Sequence, residues 1–286
     1  MVGINRQYYY RSFWLVKEKR NRADQVINLV NNLRSMMPRL GTRKLYHMLQ
    51  PSLGRLNVGR DKLFRILKAN NMLIKPKRNY RITTDSHHRF RKHKNLIEKI
   101  SLERPEQVWV SDITYIGDRN RNCYLALITD AYSKKIMGYD VSESLAAEGA
   151  LRALNRALKQ RMYSNKSLIH HSDRGLQYCS TEYQKALQKK NIKPSMTESY
   201  DPYANANAIA ERVNGILKQE FFLEDYRVNI QTMRLLVKDA IAIYNTKRPH
   251  WSCYMKTPEQ MHKQNRVRIR TYKNKYSCRN NPTTIS

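Results

Sequence analysis

Three β-rich runs follow one another between residues 107 and 141: QVWVSDITYI (107–116), YLALITD (124–130) and IMGYDV (136–141). Turn-like segments separate them, which predicts an antiparallel meander. Beyond it the period changes. A long Ala/Leu helix is expected over 145–162, a strand over 167–173, a helix over 181–190 and a short strand over 192–196, with an amphipathic helix after that. The order βββ-α-β-α-β-α fits an α/β fold, a mixed five-stranded sheet with helices packed on its faces.

The segment before this core reads as helical. Residues 23–36 place Val26, Ile27, Val30 and Leu33 on one face. After the break at 38–41, Thr42 is expected to cap a second short helix ending at Leu49, and 51–57 reads as a turn. A third helix over 59–70 turns Leu63, Ile66 and Leu67 inward and Arg60, Lys62 and Arg65 outward. Three short helices with a basic outer face on the last suit a helix-turn-helix, and equally an ordinary three-helix bundle with a solvated basic face. Arg43 and Lys44 at the start of the second helix are further candidate DNA contacts. The expected organisation is therefore a helical region over 1–73, a basic linker over 74–104, a catalytic core over 105–225, and a C-terminal helix with a basic tail over 226–286.

Charge sorts the function classes. The chain carries 54 Lys and Arg against 23 Asp and Glu, a formal net charge of +31. The first hundred residues hold 24 basic and 5 acidic side chains, so well over half of the excess lies there. A fold does not require such an excess, whereas a polyanion does, and neutralised phosphates release counterions on binding. Nucleic acid, DNA or RNA, is the leading partner. The basic residues are spread through patterned sequence, unlike a low-complexity tail or a basic membrane anchor. Cys123, Cys179, Cys253 and Cys278 form no CxxC pair, which argues against zinc and disulfides and suits a reducing cytoplasm. No apolar run reaches transmembrane length, so a soluble, cytoplasmic protein is expected.

Three acids stand out by context. Asp112 lies inside the first strand, where a carboxylate is disfavoured and costly to bury unpaired. Asp173 closes the fourth strand, and strand ends are where α/β sheets usually meet ligands. Glu211 lies on the helix after the fifth strand. Carboxylates suit Mg²⁺, which takes hard oxygen ligands, and two such ions can activate an attacking hydroxyl and stabilise a leaving oxygen in phosphoryl transfer. Singly, each acid reads more readily as a strand-end cap or a surface charge. On the last helix, Ile209, Val213, Ile216 and Leu217 form a core face, while Asn207, Glu211, Asn214, Gly215 and Lys218 share the other.

The segments WVSDITYI, HHSDRGLQY and ANAIAERVNGILKQE together resemble the catalytic core of IS3-family insertion-sequence transposases, a branch of the retroviral-integrase-like DDE recombinases. GTRKLYHML with KLFRILKANNM resembles the helix-turn-helix before that core, and YNTKRPHWSCYMKTPEQM the motif that closes it. The resemblance implies an RNase H-like fold and Mg²⁺-dependent cleavage and joining of DNA strands at a mobile element's inverted repeats. It places Asp112, Asp173 and Glu211 on the metal-binding acids, with two Mg²⁺ ions expected and Mn²⁺ as a substitute. Lys218 falls on a DNA-contacting position. The resemblance further implies an upstream helix-turn-helix and zipper product joined by frameshift fusion. Chemistry at two DNA ends implies a homodimer or higher oligomer on the nucleoid.

One feature departs from the family. Its second and third acids usually stand slightly closer than the 37 residues between Asp173 and Glu211. The tandem Ala204-Asn205 and Ala206-Asn207 looks like a duplication, which inside a helix would rotate one side by about 200°. At the helix edge a loop absorbs it, and that is the expectation. Two other readings stay open: a catalytically silent DNA-binding regulator from a decayed element, and a structure-specific nuclease. His170 and His171 either orient Asp173, contact phosphate, or sit satisfied in a strand. Trp109 reads as core. Arg248 and His250 lie in the closing motif without an assigned role.

Overall fold

The computed structural model describes residues 5–75, 93–97, 100–117, 123–197 and 208–269, in two compact units, Met1–Asn79 and Tyr80–Ser286. The first unit is helical: α1 (Arg6–Arg34), α2 (Thr42–Arg55) and α3 (Arg60–Ala69). Val26 and Val30 of α1 are buried with Leu45, Leu49 and Leu53 of α2 and Leu63 and Leu67 of α3. The Arg34 guanidinium donates to the carbonyls of Met72 and Leu40 and so pins the end of α1.

Three details here differ from expectation. Helix α1 begins at Arg6, capped by the Asn5 side chain on the Gln7 N–H, well before residue 23. Gly41 occupies the cap of α2, and Thr42 is a buried first-turn residue. Pro51 lies inside α2, where a turn was expected. The apolar stripe explains the last point. Leu45, Leu49 and Leu53 follow at intervals of four, and burying Leu53 carries the helix past an exposed proline whose missing hydrogen bond faces water.

The second unit is built on a five-stranded sheet of order β3-β2-β1-β4-β5. Strands β1 (Val108–Ile116), β2 (Cys123–Asp130) and β3 (Ile136–Ser142) form the antiparallel meander, and β4 (Ile169–Ser172) and β5 (Lys193–Met196) join it in parallel. This is the mixed sheet of the RNase H-like fold. Helices α4 (Ala147–Lys159), α5 (Leu176–Cys179) and α6 (Thr181–Lys189) lie along the chain around β4, and α7 (Ala208–Glu220), α8 (Ile230–Thr246) and α9 (Pro258–His262) follow β5.

One face of the sheet packs on α4 and α6. Its core includes Trp109, Ile128, Met137, Ala153, Leu154, Tyr183 and Leu187. At Gly138 a β-carbon would stand 2.1 Å from the Ala153 carbonyl oxygen, so the missing side chain lets α4 lie directly on β3. On the other face Val108, Val110, Ala131 and Ala210 meet Ile97, Ile100, Leu102 and Ile209.

A charged cluster is sealed where the sheet meets α9. The Glu106 carboxylate accepts from the Met162 and Tyr163 N–H groups, and the His262 ring lies 3.3 Å from it. Asp130 accepts from the Glu106 N–H and from Ser133, whose hydroxyl also meets His262. Glu106, Asp130, Ser133 and His262 are all fully buried. No helix among the described residues is long and apolar enough to cross a membrane.

Candidate active site

Register brings two of the acids together. Strands β1 and β4 run parallel with Ser111 opposite Ser172, so the next step along each strand sets Asp112 beside Asp173. Asp173 turns its Oδ1 back onto the Gly175 N–H at 3.0 Å. A β-carbon at Gly175 would press on that same oxygen at 3.0 Å, which gives the glycine of Ser-Asp-Arg-Gly a local reason.

The third acid arrives on α7. Val213, Ile216 and Leu217 are buried and Glu211, in the first turn, is exposed, as the core-face register requires. The tandem Ala-Asn pairs, and with them Asn207, lie outside the described residues. Asn214 corrects the expected division of this helix. It was placed on the outer face with Glu211, yet it is buried and its Nδ2 donates to Asp112 Oδ2 at 2.7 Å. Its Oδ1 is buried without a hydrogen-bond partner. A polar residue three positions from Glu211 and next to the core stripe was the available signal for this contact. Lys218 follows Glu211 by two turns on the same side and is partly buried.

The electrostatics tie the three acids into one field. Burial first, then the charges of Asp173 and Glu211, push the Asp112 carboxyl up to about 8, against the opposing hydrogen bonds from the Ile113 N–H and Asn214. Asp112 therefore favours folding fully only below about 3.8, and that contribution is lost as pH rises through about 8. Replacing Asp112 by Asn raises the urea midpoint of metal-free protein by an amount that grows from pH 4 to 8 and then levels off. A midpoint difference that is flat with pH would contradict this origin.

No group of three or more His, Cys, Asp or Glu side chains stands ready to hold a metal ion among the described residues. The donor chemistry nonetheless suits a hard cation. The acids offer only oxygen, their mutual repulsion is what a cation relieves, and the unpartnered Asn214 Oδ1 lies in the same place.

The two histidines before Asp173 are satisfied strand residues. His170 Nε2 lies 3.1 Å from the Ser111 hydroxyl and 2.9 Å from that of Tyr183, and His171 Nδ1 lies 2.9 Å from the Ser195 hydroxyl. Burial pushes His170 down to about 3, with the neighbouring His171 adding to it, and His171 down to about 4. Both are neutral at pH 7. Their contribution to stability is complete above 6.5 and is lost as pH falls toward these values. In urea titrations between pH 6.5 and 4, His171→Asn shows a shallower loss of stability than the parent. An unchanged slope would show that His171 does not carry it.

The basic residues singled out in the first unit are accessible. Arg43, Arg60 and Arg65 are exposed, and Lys44 and Lys62 are partly buried. Arg60 pairs locally with Asp61 at 2.9 Å.

Comparison with known proteins now decides the family. Two integrase core domain families match, one over residues 103–202 and the other over 190–258. The insertion element IS600 31 kDa protein of Shigella sonnei is 34% identical over 257 residues, 87% of this chain and 92% of that protein. The chain is an IS3-family transposase. The transposase also shares 34% identity with the InsF transposase of IS3A from Escherichia coli K12, over 60% of this chain and 59% of that one. Among solved structures, a simian T-cell lymphotropic virus intasome chain aligns at 20% identity with a TM-score of 0.48, covering 86% of this chain and 80% of that chain. The integrase core match and the insertion-element relatives place the transposase with the DDE-type polynucleotidyl transferases, which act on DNA.

Proposed function

We propose that the transposase cuts and joins DNA strands at the inverted-repeat ends of its element, with Asp112, Asp173 and Glu211 as the acids that hold divalent metal. The observation that carries this reading is geometric: the parallel register of β1 and β4 sets Asp112 beside Asp173, and Asn214, one turn after Glu211 on α7, is hydrogen-bonded to Asp112. Carboxylates gathered in this way suit a cation. Asp112, Asp173 and Glu211 would hold the metal, two ions being expected, and Mg²⁺ or Mn²⁺ would supply Lewis acidity at the scissile phosphate.

The protein's own groups do the rest. Asn214 orients Asp112 through the 2.7 Å hydrogen bond, and the Gly175 N–H holds Asp173. Lys218, on the Glu211 side of α7, is placed to meet a DNA phosphate. In the helical unit, Arg60, Lys62 and Arg65 on α3, with Arg43 and Lys44 on α2, form the DNA-recognition surface of a helix-turn-helix. The excess of +31 supports this electrostatic footprint. The working form is a dimer or higher oligomer on DNA, extended by an upstream helix-turn-helix and zipper product, in the cytoplasm at the nucleoid.

One assay tests the reading. Protein, alone and fused to its upstream product, is incubated with inverted-repeat DNA and Mg²⁺, and 3′-end joining is followed. Joining supports a transposase. Binding without nicking would reveal a silent regulator, and cutting without joining a structure-specific nuclease.

A further inference from the structure

Residues 244–250, YNTKRPH, close the core in sequence and take no part in the acid cluster. They nonetheless touch both the sheet and the helix that carries Glu211. Tyr244 donates its hydroxyl to the Lys134 carbonyl at 2.9 Å. Asn245 accepts from the Ile136 N–H and donates to the Ile136 carbonyl, both at 3.0 Å, so its amide mimics a ladder partner for the first residue of β3. These two residues grip the sheet edge.

Arg248 grips α7, backed by His250. Arg248 is 1% exposed, and its Nε and Nη2 fork onto the carboxylate of Glu220 at 2.8 and 2.7 Å. Its Nη1 donates to His250 Nε2 at 2.9 Å, and the His250 ring stands edge-on to Tyr244. A buried guanidinium is costly unless it is paired in this bidentate way. Glu220 is the last residue of α7. The clamp therefore holds one end of the helix whose other end carries Glu211.

We propose that residues 244–250 form a positioning clamp that fixes the rotation of α7 against β3, so that Arg248 determines where Glu211 points while touching neither metal nor DNA. This rests on the reading of Glu211 as a metal-binding acid. Geometry makes the lever effective. Glu211 is exposed, the buried Val213, Ile216 and Leu217 seat α7 by apolar contacts, and the fork adds a directional constraint at its last residue; a 20° roll of α7 would swing a side-chain tip about 2 Å. Displacements of about 1 Å in a reacting constellation cost on the order of 10²-fold in rate.

The test uses the full chain with Arg248→Lys, which keeps the charge and loses the fork, and Glu220→Gln, which keeps the shape and weakens the pair. Folding is checked by circular dichroism and urea midpoint, and whichever variant folds is carried forward. Single-turnover cleavage of saturating inverted-repeat DNA is expected to fall about 10²-fold, with a several-fold rise in the Mg²⁺ concentration for half-maximal rate and unchanged DNA affinity. In metal-free protein, amide exchange over residues 208–217 is expected to quicken about tenfold while β1 stays protected. An unchanged Mg²⁺ dependence, with activity lost only in proportion to unfolded protein, would overturn the clamp, and so would unchanged exchange in α7. If Glu211→Gln leaves cleavage intact, the reading of the acids fails instead, and the exchange measurement still decides the clamp.

Discussion

Asp173→Asn and Glu211→Gln are each expected to abolish 3′-end joining by the transposase, with a loss on the order of 10³-fold or more, while inverted-repeat binding survives. The size follows from what is removed. Stabilisation of transition-state charge by bound metal is worth several kcal/mol, and each ~1.4 kcal/mol is a factor of ten in rate. Binding survives because its affinity comes from phosphate neutralisation by a chain of net charge +31, against which one acid is a small change. Both variants keep the local fold. Asn at 173 still accepts from the Gly175 N–H, and Glu211 lies on the exposed face of its helix. Gel-resolved joining products and filter binding at two salt concentrations separate the two effects. Joining that persists in Asp173→Asn would remove these acids from the mechanism.

Glu106→Ala is expected to destabilise the second unit by about 3–5 kcal/mol, the range for removing one partner of a buried charged cluster. The N–H groups of Met162 and Tyr163 lose their acceptor, and Arg161, at 3.4 Å, loses its counter-ion. The backbone at Glu106 is left-handed, with φ 53°, and the side-chain contacts help to hold it there. Against a typical domain stability of about 5–15 kcal/mol, this leaves little.

The pH dependence has two sides. Burial raises the Glu106 carboxyl, but His262 and the two N–H groups outweigh it and hold it below its ordinary 4.5. Its contribution is present above 4.5 and lost on acidification through that lowered pKa. Burial lowers His262, but Asp130 and Glu106 outweigh it and hold it above 6.5, so its contribution is complete below 6.5 and fades as pH rises through the raised pKa. Urea unfolding of parent and Glu106→Ala between pH 4 and 9 checks both. A variant that unfolds within about 0.5 kcal/mol of the parent would show that the cluster is only a bystander.

Much of the architecture is legible in the sequence because the sheet's strands are short, β-branched and separated by turn residues. The meander and the core register of α7 follow directly from periods of two and 3.6. The acids are legible for a related reason, since Asp112 sits where propensity disfavours it. Long-range partnerships are not legible. Pro51 signals a break, and only the burial of Leu53 overrules it. Asn214 looks like an outer-face residue until Asp112 is brought against it. Arg248 has no local signature, because its partner Glu220 is 28 residues away. The apolar side chains at the start of α1, among them Tyr8, Phe13 and Trp14, are exposed, so no single core stripe marks where that helix begins.

The sealed cluster around Glu106 also sets a timetable for synthesis. Glu106 and His262 are separated by 156 residues, yet each completes the other's surroundings. At ribosomal rates of roughly 5–20 residues per second, Glu106 waits about 8–30 s for its last neighbour to emerge. Until then a charge destined for the interior faces water. The sheet strands and the helix bearing Glu211 are all translated before α9, so a nascent chain acquires its acids first and its closure last. A premature stop before residue 258 would release the acids on a fold that has never been fastened.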